Sequence, residues 1–433
     1  MKQSSCLAVS ANFVVVWLSA FFILLPFSLN AQEAPPQKPH KIEVKDGRLN
    51  VHVEDEDLSD VLKEIEKVTG VKVTISKELK GKKVSAIFEN KDVEGALREV
   101  LRGYYYISIY SHDPANKEKK TLTEVKAKGD VIGSKQLKGK LITVEIPYGK
   151  GTGAVRAARE SEGGSISPRS FAVDGEGKIY ICDTWNGRVQ VLSSTGAFLF
   201  IIPLRDDIFA EDIVVDERGY LYIYDGSVRK LYQVDKSGKV VTSVDVDNHR
   251  GVMLPLHFIN NVIYFDNCDA EHCDHFVIGR VLFDSFLVGP SEEEGVKPYQ
   301  EQKNGALTYS GKRYAARRFI NGYNMQIDII DKDGLTSKML SLPAEGLLMN
   351  HFLGEDIKGN MHFIRARAEY EYQLYDVDKF DAEANYIGSA KVPSDHLEFW
   401  TAREIELNKN GNIYCFIPGE KKLTLHIFLT EDN

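Results

Sequence analysis

The densest cluster of chemistry-bearing residues in this chain is NCDAEHCDH, Asn267–His275. Cys268, His272, Cys273 and His275 bring thiol sulfur and imidazole together within eight residues, a donor set suited to zinc or copper. The spacing, C-x4-C with interleaved histidines, is looser than a zinc finger. In an oxidising compartment a Cys268–Cys273 disulfide pinches the same loop, and this is the preferred reading. Metal would then bind only after reduction, and no cofactor is required. His249, His275 and His396 are further donors for a metal-assisted lyase or hydrolase, although they do not recur at matching positions. No G-x-S-x-G or H-E-x-x-H motif is present. GKGTGAVRAARE (149–160) lacks the phosphate-loop spacing and reads as a connector. Arg313, Arg317 and Arg318, with Arg365 and Arg367, give local positive charge whose alternating pairs share a strand face; they read as counter-charges to acidic surroundings, with recognition of an acidic ligand as the alternative.

The elements that position these residues follow from charge and apolar pattern. The 433 residues carry a net charge of −9, which disfavours a general nucleic-acid grip. The charge is uneven: −1 over 41–110, +4 over 111–140 and −13 over 141–433. A length of 433 residues with 43% apolar content implies two or three folded domains. Residues 1–31 have a basic start, the apolar run FVVVWLSAFFILL and a small-residue exit, as in a secretory signal peptide. An uncleaved anchor helix is the alternative, and only that anchor would engage the membrane. Both readings place the rest of the chain outside the cytoplasm, in the periplasm or secreted. The mature chain then keeps Cys182, Cys268, Cys273 and Cys415; Cys182 and Cys415 read as buried free thiols.

Residues 32–40 are a proline-bearing linker, and 41–110 alternate strand and helix patterns in the order β-α-β-β-α-β. Asp57 and Asp92 stand as N-caps, while Gly70 and Gly103 stop the two helices. LNVHVEDEDLSDVLKEIEKVTGVKVTISKELKGKKVSAIFENKDVEGALREVLRG resembles the secretin and TonB-receptor short N-terminal (STN) domain. The resemblance implies a periplasmic module that docks other proteins; no barrel or pore sequence accompanies it here. Residues 111–139 read as a basic connector.

From 140 onward one phrase repeats: a Gly or Asn turn, then an aromatic-bearing strand. Tyr180, Tyr222, Tyr264, Tyr314, His362 and Tyr414 align at intervals of 42, 42, 50, 48 and 52. This period predicts a propeller of four-stranded blades, six in number. PRSFAVDGEGKIYICDTWNGRVQVLSSTGAFLFII (168–202) closely resembles the NHL repeat, a scaffold with many functions. The last copy lacks an outer strand, and KLITVEIPYG (140–149) has the pattern to supply it, closing the ring. The fold class is thus mainly β: a six-bladed NHL-like propeller after a small α+β domain.

Turns after the aromatic strands gather on one rim, with Asp183, Trp185, Asn186 and Arg188 from the first copy and Asp225 and Ser227 from the second. Loops between blades add His249, Arg250, His396 and Trp400. Among the motif positions, Asp183, Asn186 and Arg188 also suit a structural turn. Trp185 is expected to expose its indole and anchor a partner. The reading is an exported, non-catalytic interaction protein docking an envelope protein through its small domain and propeller rim, with a small ligand as a further occupant. A metal-assisted propeller enzyme is the alternative.

Overall fold

A computed structural model describes residues 40–117, 119–129, 132–159, 165–166, 168–246, 256–259, 261–268, 273–282, 286–288, 306–308, 310, 312–318, 324–331, 333, 335–343, 347–369, 372–393 and 403–431. It begins with β1 (His40–Lys45), β2 (Arg48–Asp57), α1 (Leu58–Thr69), β3 (Lys72–Ile75), β4 (Lys83–Lys91), α2 (Val93–Val100) and β5 (Tyr105–His112). Asp57 accepts the Ser59 amide at 2.9 Å and so caps α1. Gly70 ends the helix at φ 75°, a backbone region that favours glycine. Asp92 caps α2 through the Gly95 amide at 2.7 Å. The two helices bury Leu58, Leu62, Ile65 and Leu97 against Leu49, Val51 and Val53 of β2.

The basic segment 111–139 is not merely a connector, because it contains the strand β6 (Lys120–Lys128). This strand pairs antiparallel with β5 and parallel with β3. Val125 and Ala127 supply its buried face, while Lys126 and Lys128 alternate with them on a half-buried face, where Lys128 donates to Asn385 at 2.8 Å. Charge set the expectation of a linker, but period-2 burial decided the structure.

Downstream, the chain lays down antiparallel sheets whose strands pair in chain order. Sheet A is Phe171–Val173, Ile179–Asp183, Arg188–Leu192 and Phe198–Pro203. Sheet B is Asp212–Val215, Leu221–Asp225, Lys230–Val234 and Val240–Asp245. Sheet C is Leu256–Ile259, Val262–Cys268, Cys273–Leu282 and Phe286–Val288. Sheet D is Ala306–Leu307, Arg313–Arg318, Asn324–Ile330 and Thr336–Pro343. Sheet E is Leu347–Glu355, Met361–Glu369, Tyr372–Phe380 and Tyr386–Val392. Sheet F is Ile405–Leu407, Ile413–Pro418 and Lys422–Thr430, completed by β7 (Gly139–Pro147). Leu141 of β7 lies opposite Phe428, and Ile146 opposite Leu423.

Apolar faces join neighbouring sheets. Val189 and Ile202 of A meet Ile213 and Ile223 of B, and Tyr222 of B meets Ile263 of C. Ile327 and Leu340 of D meet Phe363 and Phe380 of E; Ile364 and Val377 of E meet Ile417 of F. Sheet F returns to A, where the rings of Phe171 and Phe416 stack at 5.0 Å. Each such buried side chain contributes about 1.5–3 kcal/mol. Sheets packed face to face around a channel lined by their first strands make a β-propeller.

The N-terminal segment is built into this body. The β5 strand pairs with the outer strand of D, Ile109 opposite Lys338 and Tyr106 opposite Ser341. Further on, Lys135–Leu137 extends the outer edge of E by pairing with Ser389, through Leu137 N to Ser389 O (2.9 Å) and Ser389 N to Lys135 O (2.8 Å). β7 then completes F. The same stretch of chain therefore covers the outer edges of D, E and F in succession, and His40–Asn433 forms one compact unit.

Candidate functional site

The turn between the first and second strands is built alike in A, B, E and F. Asp174 Oδ1 accepts the amides of Glu176 (2.9 Å) and Lys178 (2.8 Å). Asp216 does the same for Arg218 (3.0 Å) and Tyr220 (2.9 Å), and Asp356 for Lys358 and Asn360 (both 3.0 Å). Asn408 takes the role in F with Asn410 and Asn412, both at 3.0 Å. A residue at φ 80–86° follows three positions later, namely Gly177, Gly219, Gly359 and Gly411. The aromatic six positions on clamps the turn. The hydroxyls of Tyr180 and Tyr222 donate to Asp174 (3.1 Å) and Asp216 (3.2 Å), and His362 Nε2 lies 3.3 Å from Asp356. Asn408 Nδ2 donates to Tyr414 at 3.4 Å. Burial pushes the Tyr414 hydroxyl up to about 12, and burial next to Asp174 raises that of Tyr180. The repeated aromatic is thus a lock on the turn.

These turns ring a cavity of about 700 Å³ at one mouth of the channel. Its apolar wall includes Val173, Val215, Phe258, Leu353 and Leu407. Its charged groups are Asp174, Asp216, Glu217, Arg218, Glu355, Arg403, Glu406 and Lys409. Lys409 crosses sheet A to pair with Glu217 at 2.9 Å. It passes over Gly175, where any Cβ would meet the Lys409 Cε at 2.5 Å.

At the opposite end of the inner strands, buried Arg403 ties three sheets together. It pairs with Glu406 of its own sheet, donates to the Leu256 carbonyl of C, and lies 3.4 Å from Asp212 Oδ2 of B. Asp212 also accepts the Ser170 hydroxyl and the Leu256 amide. Burial disfavours the Arg403 charge, but Glu406 and Asp212 outweigh it and raise the pKa. The guanidinium forms the floor of the cavity.

The rim chosen from the sequence lies at the other ends of the strands, where second and third strands turn. There Asp183 is fully buried and accepts the Arg156 amide (2.8 Å), Asn186 Nδ2 (2.8 Å) and Arg188 Nε (2.7 Å). Arg188 also donates to the Gly151 and Ala154 carbonyls, both at 2.8 Å. The 149–156 connector is therefore strapped onto sheet A. Asp225 is buried too, accepting the amides of Phe209 (2.8 Å) and Ser227 (3.0 Å). Trp185 is half-buried and edge-on to Phe209 at 5.6 Å, which corrects the expectation of an exposed indole. Buried carboxylates need donors, and this rim supplies them internally.

His249, Arg250, His272, His396 and Trp400 lie outside the described residues. Cys268 and Cys273 stand opposite one another in a hairpin, with His275 opposite Asp266. Cys182 and Cys415 are buried and in no disulfide, and burial pushes the Cys182 thiol up. Arg365 is buried and paired with Asp376 (3.2 Å) and Asp378 (2.8 Å), a counter-charge inside sheet E. No group of three or more metal-ligating side chains occurs among the described residues. No helix among them is long and apolar enough to cross a membrane.

Sequence reasoning missed Arg403 and Glu355. Arg403 leaves little local signal, since only Glu406 is near it in the chain and its other partners lie 191 and 147 positions away. Glu355 does leave one: aligned copies carry Val173, Val215 and Leu407 at its position, just before the turn residue.

The NHL repeat family matches residues 166–192. A search of curated proteins returns no match. Among solved structures, the chain is similar to a member of the DUF4221 family from Bacteroides vulgatus, at 10% identity over 69% of this chain and 99% of that one, with a TM-score of 0.40. It is also similar to hydrazine synthase from Kuenenia stuttgartiensis (13% identity, 60% and 76% covered, TM-score 0.36). A third is virginiamycin B lyase from Staphylococcus aureus (10% identity, 68% and 100% covered, TM-score 0.34).

Proposed function

We propose that this is an exported, non-catalytic interaction protein: a six-bladed NHL-like propeller whose N-terminal segment is a secretin/TonB-receptor-like (STN) module. It docks a protein partner of the bacterial envelope from the periplasmic side. Four-stranded sheets A to F, with F packed back on A, support the six-blade count. The observation that carries the docking reading is the turn-ringed cavity, lined by residues of sheets A, B, C, E and F and by Thr308 of the first turn of D. A concave site assembled from several blades on rigid, internally bonded turns is preorganised for recognition.

The test uses the full chain as bait on envelope fractions, compared with a Lys409→Glu variant. That change reverses the charge that pairs with Glu217 at the mouth. One partner recovered by the wild type and lost by the variant supports docking at the mouth. A partner retained by the variant moves docking to another surface. Turnover of an added substrate by metal-loaded protein would instead favour the lyase or hydrolase.

Export sets the redox state of the hairpin cysteines. We expect the mature chain, denatured without reductant, to titrate two free thiols, Cys182 and Cys415, with Cys268 joined to Cys273. Four free thiols would defeat both the disulfide and its oxidising compartment.

A further inference from the structure

The position before each inner turn faces the channel and is apolar in the repeat. Across its hairpin, Val173 lies opposite Ile179, Val215 opposite Leu221, and Leu407 opposite Ile413. Leu307 holds the same register opposite Arg313. Sheet E alone among these puts a carboxylate there, Glu355 opposite Met361. Glu355 is only 5% exposed and lines the cavity. One of its oxygens accepts the Ser310 hydroxyl at 2.9 Å, and no ion pair holds the carboxylate among the described residues.

Among the described residues, the arginines and lysine that line the cavity are already engaged. Arg403 serves Glu406 and Asp212, Arg218 lies 2.9 Å from Asp216, and Lys409 lies 2.9 Å from Glu217. A buried carboxylate is unfavourable unless hydrogen bonds or a cation satisfy it, and Glu355 has one hydroxyl donor where buried Asp225 has two amides and a hydroxyl. A repeat that elsewhere uses valine or leucine at this position has a ready apolar solution, so glutamate here breaks the local rule in favour of a ligand.

We propose that the cavity is a receptor for an organic cation, a guanidinium or primary ammonium on an apolar stem, with Glu355 as its counter-charge. The stem would lie along Val173, Val215 and Leu407, and the head would reach Glu355. A bare divalent ion fits less well, since it demands several oxygen ligands and the neighbouring carboxylates Asp216, Glu217 and Glu406 already serve Arg218, Lys409 and Arg403. The cation can arrive on a lysine or arginine of the docked partner or as a free small molecule. This inference rests on the mouth being the binding surface and names what it takes.

The experiment is calorimetric titration of the full chain with n-butylguanidinium and with the capped tripeptide acetyl-Gly-Arg-Gly-amide. The wild type should bind at least one of them. Glu355→Gln should weaken binding by about tenfold or more, through loss of a charge-assisted contact. Glu355→Leu should abolish it while melting at or above the wild-type temperature, because leucine restores the repeat residue. A tripeptide bound about tenfold more tightly than butylguanidinium assigns the cation to a partner's side chain, and equal affinities assign it to a small molecule. Failure of both probes, or unchanged binding by Glu355→Gln, overturns the cation assignment. If the envelope partner is still captured in that case, the docking reading stands alone; if probes bind but no partner is captured, the reverse holds.

Discussion

The outer edges of sheets D, E and F differ from those of A and B. On D, E and F the N-terminal chain supplies extra backbone pairing: β5 on D, Lys135–Leu137 on E and β7 on F. The covering strands also contribute core. Tyr105 and Ile107 enter the cluster between D and E, and the Tyr105 ring stands edge-on to Phe380 at 5.7 Å. On A and B, by contrast, the fourth strand is the last in its sheet. There Phe198, Leu199 and Phe200 stay 38%, 42% and 39% exposed. Sheets D, E and F thus have their outer edges covered by the protein's own chain, while sheet A leaves an uncharged apolar strand about two-fifths exposed. The N-terminal segment is consequently part of the structural body, and docking through it cannot be mechanically separate from the propeller.

The largest test of this contrast is Tyr105→Ala. A covering strand that is genuine core should lose about 3–5 kcal/mol in denaturant unfolding, in one transition for the whole unit. A loss near zero, or two separate transitions, would break the comparison. Gly133→Val comes next. Gly133 sits at φ 88°, and its Cβ would meet Arg365 Nη2 at 2.9 Å. Its amide also donates to Tyr386 at 2.7 Å. Strain and disturbance of the buried Arg365–Asp378 pair should remove about 1–3 kcal/mol.

A pH series sharpens the contrast further. Sheet E carries His362 where A and B carry Tyr180 and Tyr222. Burial lowers the His362 pKa, against the pull of Asp356 and alongside the Lys379 charge. Below the ordinary imidazole value, the unfolded chain takes up a proton that the folded chain resists. Stability present above that value is therefore lost as pH falls through it. Asp356 responds at lower pH: burial works against its ionisation, but His362 and Asn360 hold it well below the usual carboxylate range. The wild-type Tm should drop between neutral and mildly acidic pH, and His362→Tyr should flatten that drop. An identical profile for both proteins would remove His362 as the cause. The smallest effect is expected at the bare edge. Leu199→Lys should change unfolding free energy by no more than about 0.5 kcal/mol, and a large loss would reveal hidden packing there.

Much of the fold was legible because its signals are local. Asp57 and Gly70 mark a helix through groups within a few residues, and the tyrosine period marks the repeat because the rings of Tyr180, Tyr222 and Tyr414 each bond a turn residue six positions back. The pattern of KLITVEIPYG fits an outer strand, and Leu141–Ile146 does oppose Leu423–Phe428. The site was less legible. Asp183, Arg188 and Asp225 have the residue types of a binding rim, yet their donors and acceptors are met by one another, by the 149–156 connector and by the Phe209 amide.

The sequence by itself determined the β-rich repeat, the two capped helices and the turns, since these depend on alternation, caps and hydrogen bonds between near neighbours. The tertiary structure alone decided that β5 joins a strand more than 200 positions away, that the 120–128 stretch is a sheet member, and that Arg403 floors the channel. Strand edges and buried ion pairs select partners by position in space, and a partner distant in the chain leaves no periodic trace beside the residue that needs it.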